Sequence, residues 1–189
     1  EKITIIEDES IDNISDLLKK VSGSKTDLLK FSELLMDFSI KAEKAIVDYG
    51  GNGIYLGGED ILAFIPMACA NTQNNELQTV FSLIENLDRH FYNTLGKYAE
   101  EKGVIIPTLS YGIMLSFIKH PLKESMSIAH KLLEKSKEHS NKNTIGLRFQ
   151  KHSGQVMECF IEKTTDMIGS WIEIKAYTAN YTKNALKER

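Results

Sequence analysis

The sequence predicts an α+β fold, and three observations predict it. Short runs rich in β-branched and aromatic residues alternate with long stretches whose apolar residues recur every three or four positions. The elements come in the order strand, helix, strand, strand, helix, strand. Only Gly57-Gly58-Glu59-Asp60 separates the two middle strands, which leaves room for a hairpin turn and nothing longer. This βαββαβ order is the ferredoxin-like pattern, and a helix, a second hairpin and a C-terminal helix are appended to it.

Each element follows from local chemistry. Ile3–Ile6 is a β-branched run, and the stretch from Asp12 to Lys20 reads as an amphipathic helix that breaks at Gly23-Ser24. From Thr26 to about Tyr49, Leu28, Leu29, Phe31, Leu34, Leu35, Phe38, Ala42, Ala45 and Ile46 give a long one-faced helix ending at Gly50-Gly51. The hairpin strands lie near Gly53–Leu56 and Ile61–Ile65. After a polar loop, Asn71–Asn75, the helical spacing runs from Leu77 to Lys102 and stops at Gly103. Pro107–Ile118 reads as a buried strand and Pro121–His139 as a helix. Thr144–Lys151 and Gln155–Ile161 form the second hairpin, turning at Ser153-Gly154, and a last helix is expected over 165–187.

Composition bounds the function. With 189 residues, 42% of them hydrophobic, the chain can bury one core, so one domain is expected over 1–189, its core about 1–162; two small domains are the alternative. The net charge of -3 is spread along the chain, which argues against nucleic-acid or membrane-surface binding through bulk charge. Cys69 and Cys159 lack metal-ligand spacing and read as free buried thiols in a reducing cytoplasm. No apolar run reaches the length of a membrane span, and a chain opening on Glu1 is expected to have lost its natural start.

The hairpin tip raises the chemical question. In a ferredoxin-like sheet the first strand lies beside the central hairpin, so acidic residues at its end can face Glu59 and Asp60. Two sources of carboxylates suit a pair of magnesium ions, which take hard oxygen ligands and leave coordination for water and substrate phosphates. Gly57 and Gly58 admit the dihedral angles of a tight turn and the close approach of a triphosphate. On turn chemistry alone the same four residues also read as a solvated turn.

"IYLGGEDILAFIP" resembles the Tyr-x-Gly-Gly-Asp-Asp-x-Leu-Ala-x-x-Pro segment of the Palm domain in the large polymerase/cyclase subunit of type III CRISPR effector complexes. That domain is related to GGDEF diguanylate cyclases and nucleotidyl cyclases. "FSELLMDFS", "PTLSYGIMLSFIKHPL", "AHKLLEKSK" and "FQKHSG" resemble further family segments in the same order, so the similarity spans most of Thr26–Glu162. It implies a nucleotidyltransferase that joins ATP or other nucleoside triphosphates into cyclic oligonucleotide or dinucleotide messengers for antiviral defence, using Mg2+ or Mn2+. It also implies a homodimer or a second Palm domain as partner, and a place beside CRISPR-type effector subunits.

Carried over by position, Glu59 and Asp60 become metal-binding and catalytic carboxylates, with Gly57 and Gly58 beside the nucleotide. Lys137 falls on the family lysine that reaches triphosphate oxygens, Lys142 is a second candidate, and Ser110 either lines the site or is a buried strand serine. The family's first-strand Asp-x-Asp has two alignments here. One puts Glu7 and Glu9 at the acidic positions, with Asp8 between them; the other puts Ser10 at the first position and keeps Asp12. Ser10 and Asp12 also read as helix N-caps. A degenerate first motif would leave a Palm domain that binds nucleotide or serves as a scaffold. The five histidines lack close ligand spacing and read as solvated or capping residues. Phe31, Phe38, Phe81 and Phe91 read as core, and Trp171, with Ile168, Ile172 and Ile174, as a packing face of the last helix.

Overall fold

The computed structural model describes residues 2–8, 11–70, 77–139 and 142–163. Strand β1 (Lys2–Asp8) leads into helices α1 (Ile11–Val21) and α2 (Lys25–Asp48). Strands β2 (Asn52–Gly57) and β3 (Asp60–Pro66) form the first hairpin. A two-stranded ribbon of β4 (Ala68–Ala70) and β5 (Leu77–Thr79) precedes α3 (Val80–Phe91). A π-helical turn, Tyr92–Gly96, joins α3 to α4 (Lys97–Lys102). Then come β6 (Tyr111–Phe117), α5 (Leu122–Glu138), β7 (Thr144–Gln150) and β8 (Val156–Glu162).

The main sheet has the order β2-β3-β1-β6-β7-β8. Each neighbouring pair among its first four strands is antiparallel, and that order is the ferredoxin-like one expected from the sequence. Helix α5 crosses over to make β7 parallel to β6, and β8 returns antiparallel at the edge.

Burial assigns the two faces of the sheet. Ile61, Ala63 and Ile65 alternate with half-buried neighbours along β3 and join Tyr111, Ile113 and Leu115 in the large core under α1 to α4. Ile14, Leu17 and Val21 of α1 are buried, at helical spacing. Phe38 and Phe91 meet edge to face with ring centroids 5.0 Å apart, which locks α2 to α3; Phe31 and Phe81 are buried with them. The opposite face packs Leu62, Phe64 and Met114 against Met126, Ile128 and Ala129 of α5. Gly112 permits this close approach, because a β-carbon there would lie 2.6 Å from the Leu133 amide nitrogen. Gly146 does the same one strand over.

Several expectations are corrected. The helix expected from Leu77 starts at Val80, because Leu77–Thr79 pair with Ala68–Ala70 instead. It is interrupted where the Thr94 hydroxyl bonds to the carbonyls of His90 and Phe91. The strand expected from Pro107 pairs only from Tyr111, since its β1 neighbour ends at Asp8; Leu109 and Ser110 are buried ahead of it. Helix α2 is not one-faced: Leu28 and Leu29 are exposed, as are Met36, Ile40 and Val47. Cys159 is exposed and Cys69 only partly buried. The expected loop Asn71–Asn75, Glu9, Ser10 and the expected helix over 165–187 with Trp171 lie outside the described residues.

Candidate active site

The site is built at one end of the sheet. The β2–β3 ladder closes on Gly57 opposite Asp60, with Gly58 and Glu59 as the turn. Gly58 has φ +70 and open space where a side chain would stand, so the left-handed turn conformation is its reason for being glycine. Gly57 differs: a side chain there would run into the Tyr55 ring, so the room expected for a nucleotide is bounded by that exposed aromatic. On the core side, the Ser39 hydroxyl of α2 donates to the Gly58 carbonyl at 2.9 Å.

Glu59 and Asp60 are both half-buried. Asp60 alternates with buried Ile61 and so lies on the α5 face of the sheet. Its Oδ1 is buried and accepts no hydrogen bond among the described residues, although the residue is engaged elsewhere.

Register supplies the neighbours. Asp8, the last residue of β1, pairs with Ile61 on one side and Tyr111 on the other, and Glu7 pairs with Leu62 and Gly112. The acidic end of β1 is therefore one strand away from the hairpin tip, at the same end of the sheet. Asp12 sits in the first turn of α1. Among the described residues no three His, Cys, Asp or Glu side chains converge into a metal cluster.

The lysines approach from the other side. Helix α5 runs along β6 with Ala129 and Leu133 over Gly112. One turn further on, the Ser136 hydroxyl donates to the Tyr111 carbonyl at 3.2 Å. Lys137 follows at the end of the sheet that carries Asp8 and the hairpin tip, on the face that also carries Asp60. Lys142 precedes β7 at that end, with φ 49, and Thr144 donates to its carbonyl. Both lysines are half-buried and engaged with neighbours. Ser110 is 3% exposed.

Sequence reasoning missed a second polar group at this end. Lys163, just past β8, reaches both carboxylate oxygens of Asp88 on α3 at 2.8 Å and stands 4.5 Å from the centre of the Tyr111 ring. The Tyr111 hydroxyl donates to Asp88 at 2.8 Å. No spacing rule links Asp88, Tyr111 and Lys163; the sheet order alone brings them together. Two of the five histidines are solvated as expected, whereas His90, His120 and His139 are half-buried. His130 and His152 are exposed, and His120 bonds to Ser125 in the first turn of α5 at 2.8 Å.

A ferredoxin-like sheet whose β1 end and Gly-Gly-Glu-Asp turn share one end defines the class: a palm-type domain. Residues 9–146 match the family model described as Cas10/Cmr2, second palm domain, and the chain belongs to that family. Over 126 residues it is 30% identical to the CRISPR system Cmr subunit Cmr2 of Pyrococcus furiosus, covering 65% of this chain and 13% of that relative's length. Among solved structures, the guanylyl cyclase Cya2 superposes with a TM-score of 0.50 at 12% identity, over 78% of this chain and 75% of that one. A Csm1–Csm4 cassette in complex with pppApA superposes with a TM-score of 0.51 at 15% identity, over 76% of this chain and 20% of that one. Both likenesses are of fold.

Proposed function

We propose that this palm domain is a nucleotidyltransferase that joins nucleoside triphosphates, ATP foremost, into a cyclic oligonucleotide or dinucleotide within CRISPR-type antiviral defence. The observation that carries the reading is the pairing of Asp8 with Ile61, which sets the acidic end of β1 next to Glu59 and Asp60. The donor set fits magnesium or manganese: every candidate is a carboxylate, and none is a thiolate or imidazole that would favour a softer ion. Glu59 and Asp60 would hold the metal, with Glu7, Asp8 and Asp12 as the candidates from the other arm. Bound there, divalent ions supply charge stabilisation to a ribose hydroxyl attacking an α-phosphate with pyrophosphate leaving.

The chain's own groups do the rest. Lys137 and Lys142 neutralise triphosphate oxygens, and Gly58 keeps the turn open on its substrate side. Because two triphosphates must meet, the working unit is a homodimer or a pair with a second palm domain. Effector subunits of CRISPR type are the further partners in this reading, and a cytoplasmic location accords with it. Among the described residues no helix is long and apolar enough to cross a membrane.

A second reading is favoured by one observation: the family match begins at residue 9, beyond β1. In that reading the first acidic motif is degenerate, and the domain binds nucleotide or acts as a scaffold. Incubation with ATP and Mg2+ or Mn2+, followed by mass spectrometry, decides between them, with Glu59→Ala/Asp60→Ala as control. A cyclic adenylate that disappears in the control supports the first reading; ATP binding without product overturns it in favour of the second.

A further inference from the structure

We propose that Ser39 is a positioning residue that latches the hairpin tip to α2 and so sets where Glu59 and Asp60 stand. The inference rests on the metal-site reading above. Ser39 is 8% exposed, within the face of α2 that packs on the sheet beside Phe38. Its Oγ lies 2.9 Å from the Gly58 carbonyl oxygen, 19 residues away, and 3.1 Å from the Leu35 carbonyl of its own helix.

A hydroxyl has one proton, so the two carbonyls share or compete for it. Given to Leu35, the bond is ordinary helical back-bonding. Given to Gly58, it restrains the peptide immediately before Glu59. Gly58 itself offers no restraint, having φ +70 and nothing within 4 Å of a β-carbon position. Ser39 is thus a side-chain tether applied to the turn from the core side. A carboxylate pair that must share a divalent ion with a second strand needs its backbone fixed to within a fraction of an ångström, and a glycine turn alone does not fix it.

Three full-length variants test the latch. Ser39→Ala removes the donor, Ser39→Thr keeps it, and Ser39→Cys keeps the size with a weak donor. Amide hydrogen exchange at Gly57 and Asp60, the pair on which the hairpin ladder closes, is read first, because it needs neither metal nor turnover. Ser39→Ala is expected to speed exchange there by about five-fold, the loss of one neutral hydrogen bond, while Ser39→Thr stays near wild type and Ser39→Cys falls between. Titration with Mn2+ alone should then show about five-fold weaker binding in Ser39→Ala and recovery in Ser39→Thr. Exchange at these amides that is unchanged in Ser39→Ala, or raised equally in Ser39→Thr, overturns the latch, whatever happens to thermal stability. Faster exchange in a protein whose wild type takes up no Mn2+ sustains the latch and removes the metal reading instead.

Discussion

Substituting Gly112 by alanine tests the geometry that joins the two halves of the site. A β-carbon at this position would sit 2.6 Å from the Leu133 amide nitrogen and closer still to the Ala129 carbonyl oxygen. Both obstacles are helix backbone, so no rotamer change relieves them. Restoring ordinary contact requires α5 to back away from β6 by roughly 1 Å. Overpacking of this kind costs about 3 kcal/mol, from which about 0.5 kcal/mol is recovered because alanine narrows the unfolded ensemble. The net loss of about 2.5 kcal/mol corresponds to a fall in Tm of roughly 5–10 °C for a chain of this size. Thermal and urea unfolding followed by circular dichroism measure it, with Gly23→Ala as control, where nothing lies within 4 Å of the new carbon. The control should remain within about 0.5 kcal/mol of wild type. A Gly112→Ala protein as stable as the control would refute the argument that glycine is there for helix contact.

Other expectations follow from single contacts. The Asp27 carboxyl is held below its usual range, chiefly by its bond to Lys102 at 2.7 Å, and Lys102 is raised in turn. Asp27 stabilises above its unfolded pKa of 3.8 and loses that contribution as pH falls through its lowered folded value; Lys102 loses its own as pH rises through a value above 10.5. The stability gap between wild type and Lys102→Met should therefore be flat between these limits and close outside them, as urea titrations across pH would record. Lys163→Met leaves the Asp88 carboxylate without its bidentate cation and should cost about 2 kcal/mol in urea unfolding. Gly58→Ala meets no steric obstacle but must adopt φ +70, so about 1 kcal/mol of destabilisation is expected. Burial raises both thiols, yet only Cys159 is exposed, so a disulfide reagent added to the folded protein should label Cys159 before Cys69.

What was legible in the sequence divides along physical lines. Strand and helix periods, the Gly-Gly turn and the helix break at Gly23-Ser24 are local signals, and they gave the βαββαβ order and both hairpins. The ribbon of Ala68–Ala70 with Leu77–Thr79 was not legible, because three-residue strands carry no period and their pairing is not between chain neighbours. The π-helical turn was hidden for a different reason: apolar spacing through Leu95 and Ala99 persists across it, while the Thr94 hydroxyl alters only the backbone bonding. Exposure of Leu29, Met36, Ile40 and Val47 was equally invisible, since an apolar stripe does not announce which side of the helix meets the sheet. Of the candidate site, the hairpin carboxylates could be read from four adjacent residues. The Ser39 tether and the Asp88–Lys163–Tyr111 cluster could not, because each joins residues that only the fold brings together.

On the proposed function, the same contacts would let two distant pieces of chain act on one substrate. The carboxylates are fixed by β3, which is paired to β1 through Asp8 and Ile61. Asp8 is paired in turn to Tyr111 of β6, and the Tyr111 carbonyl accepts from Ser136, the residue before Lys137. Hairpin tip and lysine are thus joined through two strand ladders and one side-chain bond, with Gly112 setting how close α5 lies to the sheet. A ladder transmits position rigidly, because slipping it by one residue would turn every side chain to the opposite face. The adjustable joints are therefore the two ends, the glycine turn at Gly58 and the α5 contact at Gly112. Ser39 restrains the first and helix packing the second, so substitutions at Ser39 should alter metal affinity before phosphate contact. Substitutions at Gly112 should do the reverse, weakening ATP binding through Lys137 while leaving Mn2+ affinity near wild type.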